Sequence, residues 1–452
     1  MKITLIKPAI GRLLLDKDRS ETYKDGSRME PLQLASIAGL TPPDIDVVMY
    51  DDRIEKIPFD EPTDFAAITV EIFTARRAYE IVQSYKERGV HTIIGGVHAT
   101  LCTAEVSQIA DTVIVGDAEF IWDQVINDAR NKQLQKIYYS KPGAPPQNVF
   151  PDKRIFKGKD YLPMSLTQFG RGCLFSCNFC AITAYFDKSY YKRDILDVVK
   201  EIQLEGKKFY FFVDDNIVAD KESAKQLFKA ITPLKIKWVG QASIDMVTDL
   251  ELMKLMQQSG CLGLVIGFES VSENGLKTLE KKSNMFCQNN YAEPVKIIQD
   301  HGIFIWGAFT MGHDEETKQS IEETYEFARK NKFAFAAYNI LLPYPGTPLY
   351  AKLKEEKRLL YDGIWWLHKD YAFNHAAFIP KNMTADELTQ CCAAIKKKWS
   401  SYSSIARRMI NPVTIKAIWK IGILLKYSIL FRKENWLKRY LRLGLYYESN
   451  TR

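Results

Sequence analysis

Three cysteines stand together in the stretch Arg171-Gly172-Cys173-Leu174-Phe175-Ser176-Cys177-Asn178-Phe179-Cys180, spaced C-x3-C-x2-C. Thiolates this close can hold three irons of a cubane iron–sulfur cluster and leave the fourth iron without a protein ligand, open to a substrate or cosubstrate. A structural zinc site needs four closed ligands. No fourth lies near, since the nearest cysteines are Cys102 and Cys261 and the nearest histidines His98 and His301. A disulfide pairing would need an oxidising compartment and is the habit of small chains. The stretch therefore points to redox chemistry carried by a cofactor that the protein positions.

Other polar residues break apolar runs downstream. Asp214-Asp215-Asn216 follows Phe209–Val213, Gln241 sits in Trp238–Ala242, and Gly267, Glu269 and Ser270 close Leu264–Ser270. A carboxylate such as Glu269 accepts hydrogen bonds from hydroxyls or an ammonium. Glu269 and Gln241 read as ligand contacts, whereas the Asp-Asp-Asn triplet fits a ligand contact and a simple turn equally well. Asp314 and Thr347 precede helical stretches and read as N-caps. His313 and Cys261 read as structural.

The elements that must position these residues are legible as alternating patterns. Ser165–Phe169 opens a series of six strands that runs through the three segments above to Phe304–Phe309 and Tyr338–Leu341, with helices between. In a (β/α) barrel chemistry collects at the carboxyl ends of the strands, which is where the cysteines and polar breaks fall. Upstream, Ile3–Ile6, Val47–Tyr50, Ala66–Val70, Thr92–Gly95 and Thr112–Val115 read as strands and Ala75–Lys86 as a helix, the alternation of a doubly wound parallel sheet. Its strand ends include Gly95-Gly96-Val97-His98-Ala99-Thr100 and Gly116-Asp117-Ala118-Glu119. Lys141–Gln147 is rich in chain breakers. The chain thus divides into an α/β sheet domain over 1–140, a linker over 141–160, a partial (β/α)6 barrel over 161–360 and a helical C-terminal extension over 361–452.

The cysteine loop, with Phe179 before its last cysteine, resembles that of the radical S-adenosylmethionine (SAM) enzymes. The resemblance implies a [4Fe-4S] cluster on Cys173, Cys177 and Cys180 whose open iron chelates SAM and cleaves it to methionine and a 5′-deoxyadenosyl radical. It also implies that Asp215, Gln241, Gly267, Glu269 and Ser270 contact SAM. The Gly-Gly-Val-His-Ala-Thr and Gly-Asp-Ala-Glu turns, with Pro31–Ala35 opening a helix, are similar to the cobalamin (B12)-binding domain of one subgroup, which implies cofactor contacts at Gly95, Gly96 and His98. The loop after the first strand, Ala9–Leu14, lacks the His that ligates cobalt in many cobalamin proteins. That absence is compatible both with cobalamin held without a His ligand and with a domain that has lost it. The activity implied is a cobalamin-dependent methyltransferase acting on an unactivated carbon of a small or lipid-like metabolite. The alternative is radical dehydration, deoxygenation, cyclisation or rearrangement without methyl transfer. An iron–sulfur electron carrier would have no use for the SAM contacts.

The formal charge is +7, but Ser401–Arg452 alone carries +9 from eleven basic and two acidic residues, leaving the remainder near −2. A nucleic-acid groove is not indicated. Eight cysteines without a paired framework suit a reducing cytoplasm, and the resemblance to radical SAM enzymes implies a reducing electron donor as partner. The first eight residues read as a strand and not as a signal peptide. Pro412–Phe431 is apolar but interrupted by Lys416, Lys420 and Lys426, which argues against a membrane span. On one helix these lysines oppose Ile418, Ile421, Leu425 and Ile429. With Trp436, Lys438, Arg439, Arg442, Tyr446 and Tyr447 following, the tail fits either peripheral membrane contact or a helix docked on the barrel. Trp365, Trp366, His368, Tyr371 and Phe373 form an aromatic cluster that suits packing. Cys391 and Cys392, adjacent on a helix over Ala385–Ser400, point apart and argue against a second cluster.

Overall fold

Six apolar runs form the N-terminal sheet in a computed structural model that describes residues 1–16, 19–22, 28–287 and 290–444. Lys2–Lys7 (β1) lies between Asp46–Asp51 (β2) and Phe65–Thr69 (β3), followed outward by His91–Gly95 (β4), Thr112–Val115 (β5) and Ile137–Tyr139 (β6). Every pairing is parallel. Strands of this kind read as near-continuous apolar runs because both faces are covered. Ile3, Leu5, Phe65, Ile93 and Trp122 fill the core. The sixth strand escaped the sequence pattern because it is three residues long and ends on the exposed Tyr139. Strand order reverses between β1 and β3, and such a reversal opens a crevice beyond the carboxyl ends.

This compact unit comprises Met1–Leu162, Ile364–Phe373 and the described part of Tyr440–Arg452; Tyr446 and Tyr447 lie outside the described residues. The aromatic cluster belongs to it. Trp365 and Tyr371 lie 4.8 Å apart between ring centroids, and Phe73 meets Trp365 at 5.5 Å and Phe373 at 5.0 Å. Leu441–Leu443 pairs antiparallel with Gly11–Asp16.

The second unit holds Pro163–Gly363 and Asn374–Arg439. Ser165–Thr167 (β7), Phe209–Phe212 (β8), Lys237–Ala242 (β9), Cys261–Glu269 (β10), Phe304–Met311 (β11) and Phe335–Ile340 (β12) form one sheet in strict chain order. All are parallel, so each connection crosses over through a helical segment, giving the partial (β/α)6 barrel. Aromatic stacks bind the layers. Phe228 lies on Trp238 at 5.1 Å, and Phe309 stacks between Phe268 at 5.6 Å and Tyr338 at 5.5 Å.

Two expectations about caps divide. Thr347 caps the helix Pro348–Glu355 by accepting from the Tyr350 N–H at 3.2 Å. Asp314 caps nothing, because Thr317 begins the helix Lys318–Lys330. Asp314 instead gathers three cations, Lys352 at 2.6 Å, Arg358 at 2.9 Å and Lys381 at 3.1 Å. The apolar C-terminal stretch is also not one helix. Pro412–Lys416 breaks at Ala417, and Lys420–Lys438 follows. Lys420 turns inward to donate to the Gly302 carbonyl at 2.6 Å, so the three lysines do not share one solvent face. Among the described residues no helix is long and apolar enough to cross a membrane. Cys392 is buried and Cys391 partly exposed on the helix Ala385–Trp399, pointing apart.

Burial alone would raise the Asp314 carboxyl, but its three cations hold it well below the usual carboxylate range. A depressed carboxyl stabilises the fold above its unfolded pKa and loses that contribution as pH falls through its folded one. Asp314→Ala is therefore expected to cost about 2 kcal/mol at neutral pH, the scale of charge-assisted bonds partly open to water. Urea unfolding should show the gap between variant and parent narrowing toward strong acid.

Candidate active site

The approach to the cysteine loop is braced by acids from the next strand. After β7 the chain runs through Gly170–Gly172, which pairs antiparallel with Tyr190–Lys192. Gly172 has φ +87°, and a Cβ there would lie 2.2 Å from the Ser189 carbonyl oxygen, so the turn into Cys173 needs glycine. Asp214, fully buried at the end of β8, accepts from the Phe169 N–H at 3.0 Å and the Gly170 N–H at 2.5 Å. Asp215 accepts from the Gly172 N–H at 2.8 Å. Burial pushes Asp214 up to about 7 and Asp215 to about 6, against the pull of those donors. Asn216 brings its Nδ2 to 3.9 Å from Cys173 Sγ and is fixed by Ser243, whose N–H donates to Oδ1 at 3.1 Å.

Cys173, Cys177 and Cys180 are free thiols on this loop. Burial raises Cys173 and pushes Cys177 up to about 11; Cys180 and Glu269 add to the rise at Cys177 and Lys281 opposes it. Glu269 and Lys281 are thus close enough to act on the cysteines.

That pair comes from β10 and the segment after it. β10 carries an irregularity between Gly267 and Glu269, and Glu269 takes φ +61°, a left-handed conformation uncommon for a side-chain-bearing residue. Asn284 holds the kink, its Nδ2 donating to the Gly267 and Phe268 carbonyls at 3.0 and 3.1 Å. The kink leaves the Glu269 carboxylate between Thr310 Oγ1, donating at 2.6 Å, and Lys281 Nζ at 3.3 Å. A Cβ on Gly267 would sit 2.3 Å from Glu269 Oε1 and 2.8 Å from Lys281 Nζ. Burial would lower the Lys281 pKa, but Glu269, Cys177 and Cys180 outweigh it and raise it. Lys281 went unnoticed in the sequence because Glu280-Lys281-Lys282 looks like an ordinary solvated charge run. No local signal separates it from Lys282.

The remaining strand-end residues have other partners. Gln241 Nε2 donates to the Asp214 carbonyl at 3.2 Å, tying β9 to β8. Ser270 Oγ accepts from the Ser272 N–H at 3.2 Å, at the start of the helix Glu273–Thr278.

In the N-terminal unit Gly96 takes φ +107°, and a Cβ there would lie 2.7 Å from the Val70 carbonyl oxygen. With Gly95 it shapes the turn after β4. His98 is buried, its Nε2 3.1 Å from both Tyr79 Oη and Glu105 Oε1. Glu105 also accepts from Tyr79 and from Trp366 Nε1, the latter at 3.1 Å. Cys102 stands beside them, its Sγ and the His98 and Glu105 ligand atoms lying within 4.8 Å of one another. Two further donors already occupy Glu105, so the group is a hydrogen-bonded knot behind the turn. At the β1/β3 reversal Lys7 Nζ meets Glu71 Oε1 at 2.5 Å. The loop after β1 is pinned by Asp52, which accepts from the Ala9 N–H at 3.0 Å and from Arg77 at 2.8 and 3.0 Å.

The donor set suits the cofactors of one class. Three free thiols on one braced loop fit a cluster with an open iron, and a carboxylate–ammonium pair beside them fits a ligand bearing both charges. Comparison agrees. Residues 167–328 match the Radical SAM superfamily. Over 431 residues the chain is 29% identical to the bacteriochlorophyllide d C-12(1)-methyltransferase of Chlorobaculum tepidum, covering 91% of this chain and 92% of that one. It is 27% identical over 357 residues to the bacteriochlorophyllide d C-8(2)-methyltransferase of the same organism, covering 73% and 78%. The fold is that of the radical SAM methyltransferase TsrM from Kitasatospora setae, whose structure has cobalamin and a [4Fe-4S] cluster bound. The TM-score is 0.64 at 13% identity, over 87% of this chain and 88% of that one. The chain thus carries a radical SAM domain over residues 167–328 and shares its fold, over most of its length, with a structure that holds cobalamin and a [4Fe-4S] cluster.

Asp214→Asn keeps the shape of the side chain but turns one acceptor into a donor facing a backbone N–H. Loss of a group that orients metal ligands typically costs at least about tenfold in metal affinity. Iron and acid-labile sulfide retained after anaerobic reconstitution and desalting should fall accordingly, with far-UV circular dichroism unchanged.

Proposed function

We propose that this enzyme methylates an unactivated carbon of a small or lipid-like metabolite in a cobalamin-dependent radical reaction. The observation that carries the reading is the braced cysteine loop beside the Glu269–Lys281–Thr310 group, in a chain alignable almost end to end with a carbon methyltransferase. When bound, the [4Fe-4S] cluster and SAM supply a 5′-deoxyadenosyl radical that takes hydrogen from the substrate, and methylcobalamin supplies the methyl group.

Cys173, Cys177 and Cys180 hold the cluster. The raised pKa values of the Cys173 and Cys177 thiols mean that iron must displace protons they would retain at neutral pH, so loading releases acid. Lys281, a permanent cation in a buried site, favours the thiolate form and can pair with a carboxylate of the cosubstrate. Glu269, fixed through both oxygens, presents spare acceptor capacity to an ammonium or to ribose hydroxyls. Gln241, Gly267 and Ser270 contribute by shaping the strand ends around that carboxylate, and Asp215 by fixing Gly172 next to the first ligand. In the N-terminal unit the turns at the carboxyl ends of the sheet would hold cobalamin. Gly95 and Gly96 form one of the turns there, and His98 acts from behind it, its ring tied to Tyr79 and Glu105. The reaction needs a low-potential electron donor, and the reducing cytoplasm is the proposed compartment.

Anaerobic reconstitution with SAM, a reductant and cobalamin is expected to give 5′-deoxyadenosine and, with substrate, S-adenosylhomocysteine. Cys180→Ala should abolish both products. Glu269→Gln should leave iron content intact while lowering 5′-deoxyadenosine formation about 10²-fold, the scale of one lost positioning contact. Deoxyadenosine without S-adenosylhomocysteine or retained cobalamin would overturn the methyl-transfer reading and leave the radical one standing.

A further inference from the structure

The C-terminal helix Lys420–Lys438 leaves large apolar side chains outside while burying polar ones. Lys420, Ser428 and Glu434 are buried along with Leu424, whereas Leu425, Ile429 and Trp436 are 42%, 50% and 49% exposed. At 3.6 residues per turn those three side chains fall within about 40° of one another, a single stripe. Polar contacts help fix this orientation: Lys420 donates to the Gly302 carbonyl at 2.6 Å and Arg432 to the Ser400 carbonyl at 2.7 Å. The chain before the helix adds Ile415 at 69%, Ile418 at 75% and Trp419 at 56% exposure. Six large apolar side chains exposed within one short segment mark a surface that meets something other than water.

Its charge says what. From Ser401 to Arg439 the chain has nine basic residues and one acidic residue, the buried Glu434. Exposed Lys426 and Lys433 flank the apolar stripe along one edge. Pro412 and Ile415 border an open cleft of about 310 Å³ that Lys330 and Lys332 also line. Apolar side chains and tryptophans beside lysines match the layering of an anionic bilayer, acyl chains beneath phosphates. A second copy of this chain would set like charge against like. With no described helix able to span a membrane, the fit is to its surface.

We propose that residues 410–436 seat the protein on an anionic bilayer, with Ile415, Ile418, Leu425, Ile429 and the two tryptophans entering the acyl boundary and the neighbouring lysines meeting lipid phosphates. The inference stands apart from the methylation reading. The test is co-sedimentation of the full chain with vesicles of phosphatidylglycerol and phosphatidylcholine, and with phosphatidylcholine alone. Binding to the mixed vesicles is expected, weakening as salt is raised. Leu425→Glu with Ile429→Glu should lower it at least about tenfold. Lys426→Glu with Lys433→Glu should weaken binding to the anionic vesicles selectively. All four side chains are exposed, so circular dichroism and thermal unfolding should match the parent. Absence of sedimentation with either vesicle would overturn the proposal. So would vesicle binding indifferent to both pairs, or a solution dimer that the Leu425/Ile429 pair dissolves, which would assign the face to a second copy.

Discussion

The site depends on a carboxylate that never needs to touch a ligand. Asp214 is fully buried and spends both oxygens on the consecutive N–H groups of Phe169 and Gly170. Those donors would otherwise be orphaned where the chain leaves β7 and turns toward Cys173, at a cost comparable to a lost hydrogen bond each. Burying the acid is itself unfavourable, which is why its pKa rises to about 7 even with two donors aimed at it. The arrangement persists because the loop and the carboxylate satisfy one another. Asp215 and Asn216 continue the same logic, one on Gly172 and the other on Cys173.

Across the site the constraint is strain balanced by charge. Glu269 holds φ +61° at the end of β10, a conformation costing on the order of 1–3 kcal/mol that survives only where its surroundings enforce it. Asn284 enforces it from the backbone side, Thr310 and Lys281 from the side-chain side. Gly267 is the residue that makes the geometry possible, because any side chain there would collide with the carboxylate and the ammonium. Gly267 therefore belongs to the site as space. Burial alone would lower the Lys281 pKa, and Glu269 beside it outweighs that and keeps the ammonium charged next to the thiols.

Much of this was legible in sequence. The strands of both sheets were readable because parallel strands buried on two faces give unbroken apolar runs, and the cysteine spacing carried its own chemistry. What sequence could not separate was polar residues that face a ligand from polar residues that brace a loop, since both follow apolar strands. Gln241, Ser270 and His98 all turn out to have partners in the protein. Lys281 was hidden for the converse reason, as a charge inside a charged run whose direction is set by a strand twelve residues away. Asp314 looked like a cap from its place before a helix, and only the tertiary fold brings Lys352, Arg358 and Lys381 around it.

The C-terminal helix shows the same limit from the other side. A helical wheel assumes one straight helix and places like with like. Here a break at Ala417 resets the phase between Lys416 and Lys420, so the wheel drawn through both misassigns the lysines. After the break, Lys420 and Arg432 find backbone carbonyls on the protein side, and those two bonds help decide which way Leu425 and Ile429 must face. The inner face also carries Leu424 into the core beside Phe304 and sets Phe431 against Trp306, so polar and apolar contacts together fix the orientation. Leu425 and Ile429 are left outward by a face that is already filled beneath them.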